Sequence, residues 1–231
     1  MFVSIPTRQK PARRWATPLL SVAIWIAFMW TISRPDEARR ALWLSWGALA
    51  HGLGGDPRHW LAAVQDSGAR RLFTALFLHA DWSHLLGNLV FLLIFGLPAE
   101  KFMGPWRFLL LFALGGVISN LVAGIVIGGS GHIVIGSSGA ISAVIGAYLA
   151  LFPNARLGVV LPLGLFLEFV RTPASLLIGA WALLQVGFAY IGPAFGTVAW
   201  SAHIAGFVVG VIYALFVRSA ITKRMRQQRG Y

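Results

Sequence analysis

The feature that most limits what this chain can become is its succession of long apolar runs. A helix needs about 20 apolar residues to cross roughly 30 Å of hydrocarbon. Six stretches qualify or nearly qualify: Trp15–Ile32, Leu85–Ala99, Phe108–Ile127, Ser138–Phe152, Ala174–Ile191 and Val198–Val217. Backbone polar groups inside a bilayer must be satisfied within the segment, so such runs are expected to be helical. Only 11% of the residues are charged, against about 25% in soluble domains. The expected fold is therefore all-α, a polytopic membrane protein with six transmembrane helices. Two shorter runs, Ala41–Ala50 and Leu157–Leu167 (which contains Pro162), are too short to cross and read as interfacial or re-entrant pieces.

Charge sets the orientation. Arg8, Lys10, Arg13 and Arg14 precede the first run, and Arg218, Lys223, Arg224, Arg226 and Arg229 follow the last. Basic flanks beside membrane spans read as cytoplasmic anchors on anionic lipid. The net charge of +12 is thus assigned to the bilayer surface and not to nucleic acid. Three parts follow: a basic cytoplasmic segment at 1–14, a membrane domain at 15–217 and a basic cytoplasmic tail at 218–231. Six spans place Glu100–Arg107 and Asn154–Arg171, with Lys101, Arg107, Arg156 and Arg171, on the cytoplasmic side. The uncharged connections Gly128–Ile135 and Gly192–Thr197 then face out. The first outer connection, Ser33–Trp82, is long and mixes Trp43, Trp46 and Trp60 with Asp36, Glu37, Asp56 and Asp66. It reads as a loop that lies partly in the membrane surface. The first run shows no small-x-small cleavage site and reads as a retained span. There is no cysteine, which removes disulfide and thiolate chemistry.

The candidate chemistry begins at Ile135-Gly136-Ser137-Ser138-Gly139-Ala140, a glycine-bracketed serine at the mouth of an apolar helix. Free N–H groups and the helix dipole favour negative charge there. A second such turn, Gly128-Gly129-Ser130-Gly131, has no helix behind it. The run from Ser138 to Phe152 rises about 22 Å, short of the roughly 30 Å core. Ser138 is therefore expected about 8 Å below the outer surface, level with His203 on the last span and Asn88 on the second. Polar groups at that depth line a watery cavity or are buried in protein.

His203 sits in a small-residue stripe of Ala202, Gly206 and Gly210, which lets a partner helix approach closely. Gly139, Ala143, Ser142 and Gly146 give the Ser138 helix a matching face. No carboxylate lies in any span near His203, so a base there would work as a Ser–His dyad. His84 and Asn88, at i and i+4, share a helix face and can both donate hydrogen bonds. His79, His84 and His203 could instead supply three nitrogens to zinc; a buried histidine bonded to a carbonyl is the plain alternative. His51, His59 and His132 read as loop histidines.

From Thr17 to Val217 the chain resembles the rhomboid intramembrane serine proteases. The matching pieces are His79-x4-His84-x3-Asn88, Gly136-Ser137-Ser138-Gly139 and Ala202-His203-x2-Gly206-x3-Gly210, in order and on the second, fourth and sixth spans. The resemblance implies Ser138 as nucleophile, in preference to Ser137 or Ser130, and His203 as general base. It implies His84, Asn88 and the Ser138 backbone N–H as the oxyanion hole, with no cofactor or metal. The implied substrates are transmembrane proteins cut near the outer end of a helix; the chain is read as a multi-pass protein of a bacterial inner membrane with both termini cytoplasmic. Ser33–Trp82 corresponds to the family's membrane-embedded first loop and Gly192–Thr197 to its mobile gate. Where the family loop often has Trp-Arg, this chain has Arg70-Arg71. The rival readings are a catalytically silent rhomboid-like binder of membrane helices and a transporter built on broken helices.

Overall fold

The computed structural model describes residues 14–50, 70–127, 132–163, 166–191 and 199–229. The expected roles of Arg8, Lys10, Arg13, His51, Asp56, His59, Trp60, Asp66, Ser130 and Gly192–Thr197 lie outside the described residues. The fold is mostly helical. In chain order it has α1 (Ala16–Ile32), α2 (Asp36–Trp46), β1 (Ala48–Ala50), α3 (Trp82–Met103), α4 (Pro105–Ile127), β2 (His132–Val134), α5 (Ser138–Leu151), β3 (Arg156–Leu163), β4 (Phe166–Pro173), α6 (Ala174–Ile191) and α7 (Trp200–Arg229). Among the described residues, three helices are long and apolar enough to cross a membrane: Trp82–Met103, Pro105–Ile127 and Trp200–Lys223. Ala16–Ile32, Ser138–Leu151 and Ala174–Phe188 are shorter apolar helices.

The core is organised around α5. Every residue from Gly139 to Tyr148 is buried, as expected of a helix that is apolar on all sides. α4 and α7 pack on it through small residues. A Cβ placed on Gly115 would overlap Ala143, one on Gly139 would overlap Ser119, and one on Gly210 would overlap the Ala143 carbonyl. Ser119 Oγ turns back to the Gly115 carbonyl at 2.6 Å, leaving the crossing free of an unpaired hydroxyl. The small-residue stripes are therefore backbone-to-backbone contacts, and helix association in lipid depends on that closeness.

At the other end of the molecule a buried carboxylate fixes α1. Glu100, fully buried near the end of α3, accepts the backbone N–H groups of Trp15, Ala16 and Thr17, each at 2.8 Å. These are donors that a helix start leaves without intrahelical partners. Near its other end α1 packs Trp25 and Phe28 edge-on against Trp82. α3 opens into a π-helical segment at Leu92–Gly96. Pro98 just beyond it has no N–H to continue the α-helical ladder.

The connection after α1 carries its own structure. Arg71 donates from Nε to the Gly47 carbonyl at 3.0 Å and from its terminal nitrogen to the Leu44 carbonyl, closing the C-terminal end of α2. Arg70 lies 5.1 Å over the Trp46 ring.

Three features differ from expectation. Two small antiparallel pairs interrupt the all-α reading. β1 pairs with β2, joining Ala48 to Val134 and Ala50 to His132, so His132 belongs to a strand. The run at 157–167, read as interfacial or re-entrant, lies in a β3–β4 hairpin whose register runs from Arg156↔Pro173 to Leu163↔Phe166. Its unbroken apolar string lacks the alternation that marks a half-buried strand. Third, α7 continues through the basic tail to Arg229, because Arg, Lys, Gln and Met sustain a helix and no Gly or Pro occurs between Gly210 and Gly230.

Candidate active site

The turn into α5 is built by Gly136. Its φ of 117° suits glycine alone among ordinary residues, and its N–H donates to the Ala75 carbonyl at 2.9 Å. A Cβ there would lie 2.6 Å from His84 Nε2, so the His84 ring rests directly on this backbone. Ser137 is the N-cap of α5 and makes no side-chain cap bond. Its carbonyl takes the first helical bond, from Ile141 N–H at 2.9 Å. Among the described residues no side chain is seen to cap the leading N–H groups of α5.

The glycine contacts between α5 and α7 decide which side chains meet. A Cβ on Gly206 would overlap the Gly139 carbonyl, and one on Gly146 the Phe207 carbonyl. With the two backbones that close, His203 Nε2 stands 2.8 Å from Ser138 Oγ. Ser138 and His203 are both half-buried. The neighbouring Ser137 is wholly buried, and its Oγ is 3.3 Å from His79 Nε2. The two adjacent serines therefore face different histidines, and of the two only Ser138 is partly exposed.

α3 brings the remaining residues to this level. Asp81 caps it, accepting the His84 N–H at 2.8 Å and the Ser83 hydroxyl at 2.6 Å. The Ser83 bond, then the His84 N–H, hold the Asp81 carboxyl below its usual 3.8. Asn88, one turn beyond His84, is buried, and its Nδ2 donor has no partner among the described residues. A buried amide donor left open is costly and calls for an explanation. His79 and His84 meet edge-to-face at 4.9 Å. Burial, followed by the His84 charge, pushes the His79 imidazole down to about 3, which keeps the ring neutral at physiological pH.

The structure thus places Ser138 with His203, and sets His84 on the turn that leads to Ser138. Asn88 lies on the same α3 face with its donor unpaired. Among the described residues no group of three His, Cys, Asp or Glu is disposed to hold a metal. One contact escaped the reading of the sequence. Gln185, buried on α6, places Oε1 2.6 Å from His203 Nδ1. The available signal was a lone amide in an otherwise apolar run, which in a membrane segment points inward by default.

The family model for the rhomboid domain matches residues 66–220. Among curated proteins, the rhomboid protease GlpG of Haemophilus influenzae is 30% identical over 161 residues, 69% of this chain and 74% of that protein. Rhomboid-like protein 11, chloroplastic, of Arabidopsis thaliana is 34% identical over 139 residues, 60% of this chain and 49% of that protein. Rhomboid protein 1, mitochondrial, of Saccharomyces cerevisiae is 30% identical over 164 residues, 66% of this chain and 43% of that protein. The matches thus span less than half of the plant and yeast proteins. With the domain matched across two thirds of its length and its three motifs gathered around one turn, the chain belongs to the rhomboid family.

Proposed function

We propose that this chain is an intramembrane serine endopeptidase acting on transmembrane proteins through a Ser138–His203 dyad. Members of its family are usually intramembrane serine proteases. The observation that carries the reading is the 2.8 Å approach of His203 Nε2 to Ser138 Oγ at a half-buried helix start. Neutral His203 takes the Ser138 proton as Oγ attacks a peptide carbonyl, and the carbonyl electron pair moves to oxygen. The oxyanion is received by Asn88 Nδ2, the His84 ring and the Ser138 N–H, donors set in place before charge develops. The intermediate collapses by breaking the C–N bond, and His203 passes its proton to the leaving amine. Water then attacks the acyl-enzyme carbonyl, giving its proton to His203; the ester bond to Ser138 Oγ breaks, and His203 returns that proton to Oγ as the carboxyl product leaves.

The wider setting is part of the proposal. The three crossing helices and three shorter apolar ones make six spans, with the basic termini in the cytoplasm against anionic lipid and the protein in a bacterial inner membrane. α5, 14 residues and so about 21 Å long, stops short of a roughly 30 Å core, which sets the dyad below the outer surface. A carbonyl in an intact helix is already hydrogen-bonded, so the substrate must present unwound backbone near the outer end of its span.

Cleavage of a single-span substrate in liposomes tests this. Wild type and Ser137→Ala are expected to cut, whereas Ser138→Ala and His203→Ala are not. Cutting by Ser138→Ala at the wild-type rate would overturn the assignment.

A further inference from the structure

We infer that Gln185 is a positioning residue for this site, holding His203 in the tautomer that can act as a base. The inference rests on the dyad proposed above and adds a third member to it. His203 has two ring nitrogens, and both are engaged: Nε2 with Ser138 Oγ and Nδ1 with Gln185 Oε1. A neutral imidazole carries its single proton on one nitrogen. Nε2 can take the serine proton only if the resting proton is on Nδ1. An amide oxygen 2.6 Å from Nδ1 accepts from Nδ1–H and has nothing to offer a bare Nδ1. With its oxygen toward the ring the amide favours the Nδ1–H form, since a bare Nδ1 would need the N–H2 group turned inward instead, and the Nε2 lone pair then points at Ser138, the orienting task a carboxylate performs in three-residue serine sites.

The surroundings are built to hold that bond. α6 turns Ile178, Trp181, Gln185 and Phe188 inward, at helical spacing, while Leu183, Leu184 and Val186 face outward and exposed. On one side of Gln185, Phe188 stacks on Trp200 at 4.8 Å; on the other, Trp181 meets Phe207 at 6.1 Å. Trp200 also meets the His203 ring edge-to-face at 5.7 Å. Aromatic contacts thus lie one turn to either side of a buried Gln185, in surroundings where a polar contact has few competitors. No Asp or Glu occurs in α4, α5, α6 or α7, so none of these helices offers His203 a carboxylate in place of the amide.

The test uses the full chain in lipid nanodiscs, with histidine labelled by nitrogen-15 and the His203 signals assigned by their loss in His203→Ala. Wild type is expected to show a protonated Nδ1 and a bare Nε2. Gln185→Leu, of similar size but with no acceptor, should give a mixed tautomer signal. It should also lower kcat about tenfold with KM nearly unchanged, the scale of one lost hydrogen bond. Gln185→Glu restores an acceptor and should recover the Nδ1–H signal and most of kcat. An unchanged His203 tautomer and kcat in Gln185→Leu overturns the inference. If Gln185→Leu fails to fold, Gln185→Glu decides alone, and loss of the Nδ1–H signal in it counts against the inference. The tautomer is read without substrate, so it judges Gln185 separately from the protease assignment, which falls only if Ser138→Ala still cuts.

Discussion

Two helix starts in this molecule are treated in opposite ways. At α1 the first N–H groups are claimed by the protein itself, through a Glu100 carboxylate that is buried and takes three donors at 2.8 Å. At α5 the N-cap is a serine that makes no cap bond, and a buried Asn88 amide stands on α3 with its donor unpaired. Both ends carry the partial positive charge of a helix N-terminus. One is satisfied permanently and serves stability. The other is left open, which costs stability and is useful only if an anion visits. On the proposed mechanism that anion is the oxyanion of the reaction.

The contrast makes crossed predictions. Asn88→Ala should lower kcat by about 10²–10³-fold, the usual cost of losing one oxyanion donor. Its stability should hold or rise, because the substitution removes a buried donor that has no partner to lose. Activity in liposomes and thermal unfolding in the same lipid check the pair of outcomes; a stability loss with unchanged kcat would make Asn88 a structural residue. Glu100→Gln should do the reverse. Its amide keeps one acceptor oxygen and sets an N–H2 group against backbone donors, at a cost of about 1–3 kcal/mol. The unfolding midpoint should fall, while kcat per folded molecule, counted by titration with a serine-directed probe, stays at the wild-type value. A fall in kcat with no stability loss would break the comparison.

How much of this could be read from the residues follows from the same contrast. Ala174–Ile191 is both an apolar run and a helix with those bounds. The small-residue stripes of α5 and α7 were legible because a close helix crossing requires small side chains in fixed rows. The Ser138–His203 pairing in space followed from those stripes. Glu100 reads from the sequence only as a residue of the cytoplasmic side, since the donors it clamps at 15–17 lie over 80 positions away and no local pattern connects them. Gln185 was overlooked for a related reason. Its run is apolar but for that one amide, and only the α6–α7 packing shows what the amide touches. The hairpin at 156–173 was missed because unbroken apolar strings do not distinguish a paired strand from a short buried helix.

Asp81 offers the smallest and most specific test, because it is a capped helix start that titrates. It holds the first turn of α3, the turn that carries His84, by accepting the His84 N–H and the Ser83 hydroxyl. Those two bonds, the Ser83 one first, lower its pKa below 3.8. A group whose folded pKa is depressed contributes its stability above the unfolded value and loses it as pH falls through the folded one. The cap should therefore be intact at pH 6 and weakened as pH drops below about 3.8. Asp81 is exposed, and solvent screening keeps the effect small, under about 1 kcal/mol. Asp81→Asn caps without titrating and supplies the reference. Hydrogen exchange at the His84 amide, corrected for intrinsic rate, should lose protection with falling pH in wild type but not in Asp81→Asn. Equal losses in the two proteins would mean that another group, such as the His84 ring itself, governs this helix start, and that α3 is held by packing and not by its cap.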